Sequence, residues 1–246
     1  MSAGFGERVK ETALSLLFPR RCPVCGEIVM PKGQRICPPC VKKLDFVREP
    51  RCMKCGRSID EEASRYCHSC ETRERHFEKN LALLFYDDRM RRCMAAVKYH
   101  HKKEYLAPLG HLLALKFSEE LRRFEADCLL PVPLHRSRRR IRGFNQAEEL
   151  ARELARETWI PLFTDVLLRE KKTVAQKSLG ADARIRNLAS AFRAEEGLVR
   201  ERKIRRVILV DDIYTTGSTL EACSQVLRAA GVEKVLCICL CIVAED

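Results

Sequence analysis

From residue 81 to the end, short apolar runs alternate with stretches of helical periodicity. Residues 81–86 (LALLFY), 127–133 (DCLLPVP), 166–168 (VLL), 207–210 (VILV) and 235–243 (VLCICLCIV) have strand length and are rich in apolar residues. Between them, residues 90–99, 105–124, 146–158 and 219–230 place apolar side chains at helical spacing. Ala147, Leu150, Ala151, Leu154 and Ala155 share one face, and Gly231 follows the last helix as a C-terminal stop. Strand–helix alternation of this kind predicts an α/β fold with a mostly parallel sheet and helices on both faces. Ligands then bind at the carboxyl ends of the strands. The N-terminal third reads differently. Residues 9–18 form a short amphipathic pattern that stops at Pro19, residues 21–76 are poor in apolar residues, and residues 71–79 are a charged connector. The expected division is therefore an N-terminal helix over 1–20, a small module over 21–76 and the α/β domain over 77–246.

Cysteine changes the picture of the middle module. Of 14 cysteines, eight lie in C-x-x-C pairs: Cys22/Cys25, Cys37/Cys40, Cys52/Cys55 and Cys67/Cys70. A shift of thirty residues maps the first two pairs onto the last two, and Gly26 and Gly56 follow equivalent cysteines. This is an internal duplication of a zinc-ribbon unit. Two thiolates separated by two residues bind one ion through a tight turn, and two such turns complete a tetrahedral four-sulfur site. A closed shell leaves no position for substrate, so both zinc sites are expected to be structural. Sequential sites, Cys22/25/37/40 and Cys52/55/67/70, follow from the duplication. A crossed arrangement, first pair with third and second with fourth, is the alternative. The remaining cysteines, Cys93, Cys128, Cys223, Cys237, Cys239 and Cys241, read as small buried hydrophobes.

Residues 1–19 carry Glu7 and Glu11 and do not read as a secretory leader. No run approaches the ~20 apolar residues of a membrane span. Together with the paired thiols, this points to a reducing cytoplasm. The formal net charge of +12 favours anionic partners, phosphorylated metabolites or nucleic acid, without choosing between them.

Two segments carry candidate chemistry. After the strand 207–210 come Asp211 and Asp212, then Thr215, Thr216, Gly217, Ser218, Thr219 and a helix. Hydroxyls and successive backbone N–H groups around a glycine suit a phosphate, and the helix dipole favours its charge. The two carboxylates suit neighbouring sugar hydroxyls. No Gly-Lys-Ser/Thr follows, so the loop is not a Walker A. The second segment runs from His135 and Arg136 through Arg138, Arg139, Arg140 and Arg142 into Gly143-Phe144-Asn145-Gln146. It lies between a strand and a helix, where a diphosphate could meet arginines. Lys98 and His100 read as solvated residues at a helix end, and residues 171–183 as a polar loop.

The run VDDIYTTGST resembles the 5-phosphoribosyl 1-diphosphate (PRPP) motif of type I phosphoribosyltransferases. That resemblance implies ribose contacts from Asp211 and Asp212, a 5-phosphate on residues 215–219, and Mg²⁺ bound with PRPP. Phe18-Pro19 before the first C-x-x-C, VPLH with RGFNQAEELA, Gln176, Arg184 with Asn187, and VDDIYTTGST together resemble the ComF family of competence proteins and GntX-type proteins. The implied fold is a type I phosphoribosyltransferase-like domain behind a double zinc ribbon. The resemblance also implies PRPP binding by Asp211, Asp212, residues 215–219, His135, Arg136 and Arg142, and a link to DNA uptake or nucleotide metabolism. In type I enzymes a mobile loop falls where residues 171–183 lie.

Two functions fit. In one, Asp211 and Asp212 fix the ribose while phosphoribosyl passes to an acceptor that the sequence does not specify. In the other, a non-catalytic module senses PRPP or a nucleotide while ribbon and basic loop bind single-stranded DNA or a DNA-uptake helicase. Five tyrosines and one tryptophan offer little for base stacking.

Overall fold

The computed structural model describes residues 19–59, 64–171, 185 and 187–244. The chain divides into two compact units between Leu44 and Asp45. In the first, the turn after Cys22 closes with Gly26 N–H donating to Cys22 O at 2.9 Å and Cys22 N–H donating to Glu27 O at 2.8 Å. Helix α1 (Pro38–Val41) starts at Cys37, with proline at a position that needs no donor. The second unit opens by repeating this design. Gly56 N–H donates to Cys52 O, Cys52 N–H donates to Arg57 O, and α2 (His68–Glu71) starts at Cys67. The bridges Arg21↔Ile28 and Arg51↔Ser58 are equivalent by the same thirty-residue shift. The second cysteine repeat therefore belongs to one compact unit with the α/β domain.

The sheet contains β1 (Lys79–Phe85), β2 (Cys128–Pro131), β5 (Arg206–Tyr214) and β6 (Lys234–Ile242), in the order β1-β6-β5-β2 with every pair parallel. Burial on both faces explains why 207–210 and 235–242 are continuously apolar. Val207, Leu209, Val235, Cys237 and Cys239 share one core with Leu220, Cys223 and Leu227 of helix α9 (Ser218–Ala229), and with Val47, Cys52, Cys55, Cys67 and Phe77 of the second ribbon. The intervening strand residues alternate to the opposite face. Helices α4 (Leu106–Lys116) and α7 (Gln146–Thr158) pack on β6 and β5 respectively, and on each other. Helix α3 (Asp88–Tyr99) starts at Asp87, whose carboxylate accepts from Met90 N–H at 2.8 Å. The six scattered cysteines are all buried, and burial pushes the Cys128 thiol up to about 12.

Three expectations change in detail. The single helix over 105–124 is a 3₁₀ turn (Lys103–Tyr105), α4 and α5 (Ser118–Phe124). The break is at Phe117 (φ −110°, ψ 18°), which buries its ring while Leu121 N–H still bonds its carbonyl. Strand β3 (Leu167–Arg169) lies outside the parallel sheet and pairs antiparallel with β4 (Phe192–Ala194). Residues 136–142, expected as a loop, form the short helix α6 (Arg136–Arg142), and α8 (Glu196–Glu201) leads from β4 towards β5. The helical pattern at 9–18 and nearly all of 171–183 lie outside the described residues. Among the described residues no helix is long and apolar enough to cross a membrane.

Leu209 is fully buried in the central strand. Leu209→Ala should therefore cost about 2–5 kcal/mol in a denaturant-unfolding measurement, whereas the exposed Leu115→Ala should change stability by no more than roughly 0.5 kcal/mol.

Candidate functional site

Strand β5 carries its apolar stretch through the core and then emerges as Asp211 and Asp212, still within the strand. Both acids line a cleft of about 310 Å³ at the carboxyl end of the sheet. Asp211 Oδ1 accepts from Asp212 N–H at 2.8 Å. Asp212 Oδ2 lies 2.7 Å from Lys98 Nζ, at the last turn of α3, and both side chains are largely withdrawn from solvent. Burial holds the Asp211 carboxyl well above the usual carboxylate range, and the adjacent Asp212 charge adds to this.

The rest of the lining comes from separate elements. Helix α6 supplies Arg138 and Arg142, β3 supplies Arg169, the end of β1 is followed by Tyr86, and the loop after β5 supplies Thr215 with Thr219 beyond it. Asn145 holds the start of α7, accepting from Ala147 N–H at 3.2 Å and donating to Val132 O at 3.0 Å. Gln146, only 2% exposed, borders the cleft with its amide nitrogen unpartnered. Four cationic side chains thus surround two carboxylates and a buried amide donor. Such a lining suits a ligand with both phosphate and hydroxyl groups.

Not every expected residue reaches this cleft. Asp211, Asp212, Thr215, Thr219 and Arg142 line it. His135 lies outside the lining and caps α6, its Nδ1 accepting from Ser137 N–H at 3.3 Å. Arg136 is exposed and also outside the lining. Thr216 and Ser218 join hydroxyls at 2.8 Å over the start of α9, and Thr216 borders a second cavity beside the ribbon. Gly217 sits at φ 76°, where a Cβ would meet Tyr214 Oη at 2.2 Å. Gln176 and Arg184 lie outside the described residues, and Asn187 is half-buried. Lys98 corrects the expectation of a solvated helix end, because it is an ion-pair partner within the cleft. Arg169 had no sequence signal beyond a basic residue closing an apolar run.

The eight ribbon cysteines form two groups, Cys22/25/37/40 and Cys52/55/67/70, with the sulfurs of each group within 4.8 Å of one another. The sequential arrangement is the one present, and the crossed one is not. Zinc fits this donor set. A tetrahedral ion with Zn–S of ~2.3 Å has sulfur–sulfur edges of roughly 3.8 Å, and Cys55 Sγ lies 3.6 Å from Cys67 Sγ. His68 is exposed and is not in the group.

Family models match a double zinc ribbon domain over residues 13–71 and a phosphoribosyl transferase domain over residues 142–246. The fold class is therefore a type I phosphoribosyltransferase-like α/β domain behind a double zinc ribbon. Competence protein F of Haemophilus influenzae is 32% identical over 222 residues, covering 89% of this chain and 95% of its own. Competence protein ComFC of Bacillus subtilis is 29% identical over 212 residues, covering 80% of each. DNA utilization protein YhgH of Escherichia coli K12 is 33% identical over 148 residues, 59% of this chain and 63% of its own. This chain belongs to the competence protein F (ComF) family. Among solved structures, a glutamine PRPP amidotransferase from B. subtilis complexed with ADP and GMP overlaps 54% of this chain and 25% of its own. Its identity is 23% and its TM-score 0.37, too low to carry weight.

Metal analysis of the full chain should return two zinc ions, one per four-cysteine group. Cys37→Ser and Cys70→Ser should each lower the content to one. Cys70→Ser should depress the thermal midpoint of the α/β unit more, because its partners Cys52, Cys55 and Cys67 sit in that unit's core. Equal shifts would contradict the shared core.

Proposed function

We propose that the cleft binds PRPP with Mg²⁺ and that the chain transfers phosphoribosyl to a nitrogen acceptor in the handling of incoming DNA. The observation that supports this most directly is the convergence of Asp211, Asp212, Thr215 and Thr219 with Lys98, Arg138 and Arg142 on one cleft. In this reading the carboxylates accept from the ribose 2′- and 3′-hydroxyls. Residues 215–219 hold the 5-phosphate, with Gly217 at a positive φ where a Cβ would crowd the Tyr214 hydroxyl. Arg138 and Arg142 meet the diphosphate, and the free amide of Gln146 is a further donor. Mg²⁺, which favours oxygen donors, would sit with the acidic pair and the diphosphate and neutralise the leaving group. Lys98 places a positive charge against the acidic pair through its ion pair with Asp212 and so offsets the repulsion between the two acids.

The relatives' names concern competence and DNA utilization, and we place this chain in the same process, in a cytoplasm that keeps the ribbon thiols reduced. The net charge of +12 suits single-stranded DNA as a partner. A second reading, ligand sensing without turnover, draws support from the cleft itself. Apart from the acidic pair, Tyr86 and Lys98, which is held in its ion pair with Asp212, its described lining holds no group suited to take a proton from an acceptor.

Titration calorimetry with PRPP and Mg²⁺ should show one site. Asp211→Asn with Asp212→Asn should weaken it by at least about a hundredfold, since each ionised acceptor is worth roughly 1.5–3 kcal/mol. Pyrophosphate release across a panel of bases and amines then separates the readings. Release lost in the double variant supports transfer, and tight binding with no release for any acceptor supports sensing.

The pH dependence has a definite sign. The Asp211 carboxyl is held above its ordinary range, so lowering the pH protonates it early and removes an acceptor for the ribose. Affinity should fall as pH drops through that raised value and recover above it. Asp211→Asn should abolish the step, and an unchanged step would show that another group titrates.

A further inference from the structure

The second ribbon holds more than its own metal site. Arg57 follows the first cysteine turn of the repeat and Arg75 follows its second half, and they are only 8% and 7% exposed. Arg57 Nη2 donates to the carbonyl of Thr215 at 3.4 Å, and Arg75 Nη2 donates to the carbonyl of Thr216 at 3.3 Å. Two guanidinium groups are thus withdrawn from water against the backbone of the candidate phosphate loop. Burying such charges is unfavourable unless acceptors replace the lost water. Next along the chain, His76 N–H donates to Glu221 Oε2 at 2.9 Å, and its Nδ1 lies 2.5 Å from Glu221 Oε1. Glu221 is 1% exposed and sits in the first turn of α9, immediately after the loop.

The ribbon is also fixed to the sheet through β1. Asn80 of β1, fully buried, donates through Nδ2 to Cys55 O at 2.8 Å, and its N–H donates to Lys54 O at 2.7 Å. Gly56 lies so close that a Cβ would be 2.2 Å from Asn80 O. The turn that carries Cys52 and Cys55 is therefore docked on β1, while the flanking residues Arg57, Arg75 and His76 reach the loop 215–217 and the start of α9. The four-cysteine turns and the candidate phosphate loop are joined by these three side chains.

We propose that Arg57 and Arg75 are positioning residues, through which the second four-cysteine site sets the conformation of loop 215–219 and hence its affinity for a phosphoribosyl ligand. This rests on the PRPP reading for its ligand, though not for its structural part. Coupling of this kind is reciprocal: loss of the second metal weakens the ligand, and the ligand slows loss of that metal. The first four-cysteine site lies in a separate compact unit and is assigned no such role.

The test uses the full-length, zinc-loaded chain. Backbone hydrogen exchange of residues 215–221 is measured without ligand in wild type, Arg57→Ala/Arg75→Ala, Cys37→Ser and Cys70→Ser, with zinc content determined in parallel. The arginine variant should keep both metals yet exchange about tenfold faster in the loop, and Cys70→Ser should do the same with one metal missing. Cys37→Ser should match wild type. PRPP with Mg²⁺ should bind about tenfold more weakly to the arginine variant, as expected for lost charged donors. Should that variant lose metal, Arg75→Lys, which retains a cationic donor, is measured instead: loop protection between wild type and alanine supports the proposal. Unchanged loop exchange in the arginine variant with both metals present overturns it, as does equal acceleration by Cys37→Ser and Cys70→Ser. Failure of wild type to bind PRPP would sink the ligand assignment alone, because the exchange measurement needs no ligand.

Discussion

Strand β5 is the constraint on which the larger unit depends. Its first half is held between two strands and two layers of side chains, with Val207, Ile208, Leu209 and Val210 fully buried. That burial leaves the register with no freedom, because a one-residue slip would exchange the faces of every side chain. The second half then has to deliver Asp211 and Asp212 to the same place, at the end of the sheet where the cleft opens. Apolar burial thus sets the position of two carboxylates that would otherwise repel each other, and Lys98 completes the arrangement from a neighbouring helix.

The second ribbon extends this logic. A module with so few apolar residues needs metal to fold, yet Cys52, Cys55 and Cys67 also contribute to the core beneath α9. It is not an independent bead on the chain. Its buried arginines lie against the loop that follows β5, so metal, core and candidate ligand site meet over a few residues. The first ribbon repeats the turns but belongs to the other compact unit. Duplication of sequence has produced two copies with different surroundings.

Much of this was legible beforehand. The strands around 81–86, 207–210 and 235–243 stand out because both of their faces are buried, which makes them continuously apolar. The eight cysteines announce two four-sulfur sites through the thirty-residue repeat, while the choice between sequential and crossed pairing needed the positions of the sulfurs. What the sequence does not show depends on contacts between distant segments. Nothing local in Met-Ala-Ala-Val-Lys98 says that its ammonium will reach Asp212. Nothing local in the sequence shows that His135, beside a row of arginines, caps a seven-residue helix. The antiparallel pairing of β3 with β4 rests on three residues each, too few for any periodicity to show.

The role proposed for the carboxyl end of β5 is to hold a phosphorylated ribose. A crystal structure of the chain soaked with ribose 5-phosphate tests it most directly. The phosphate should lie against residues 215–219, with the 2′- and 3′-hydroxyls on Asp211 and Asp212. A phosphate seated elsewhere, or a sugar turned so that its diol avoids both carboxylates, would contradict it.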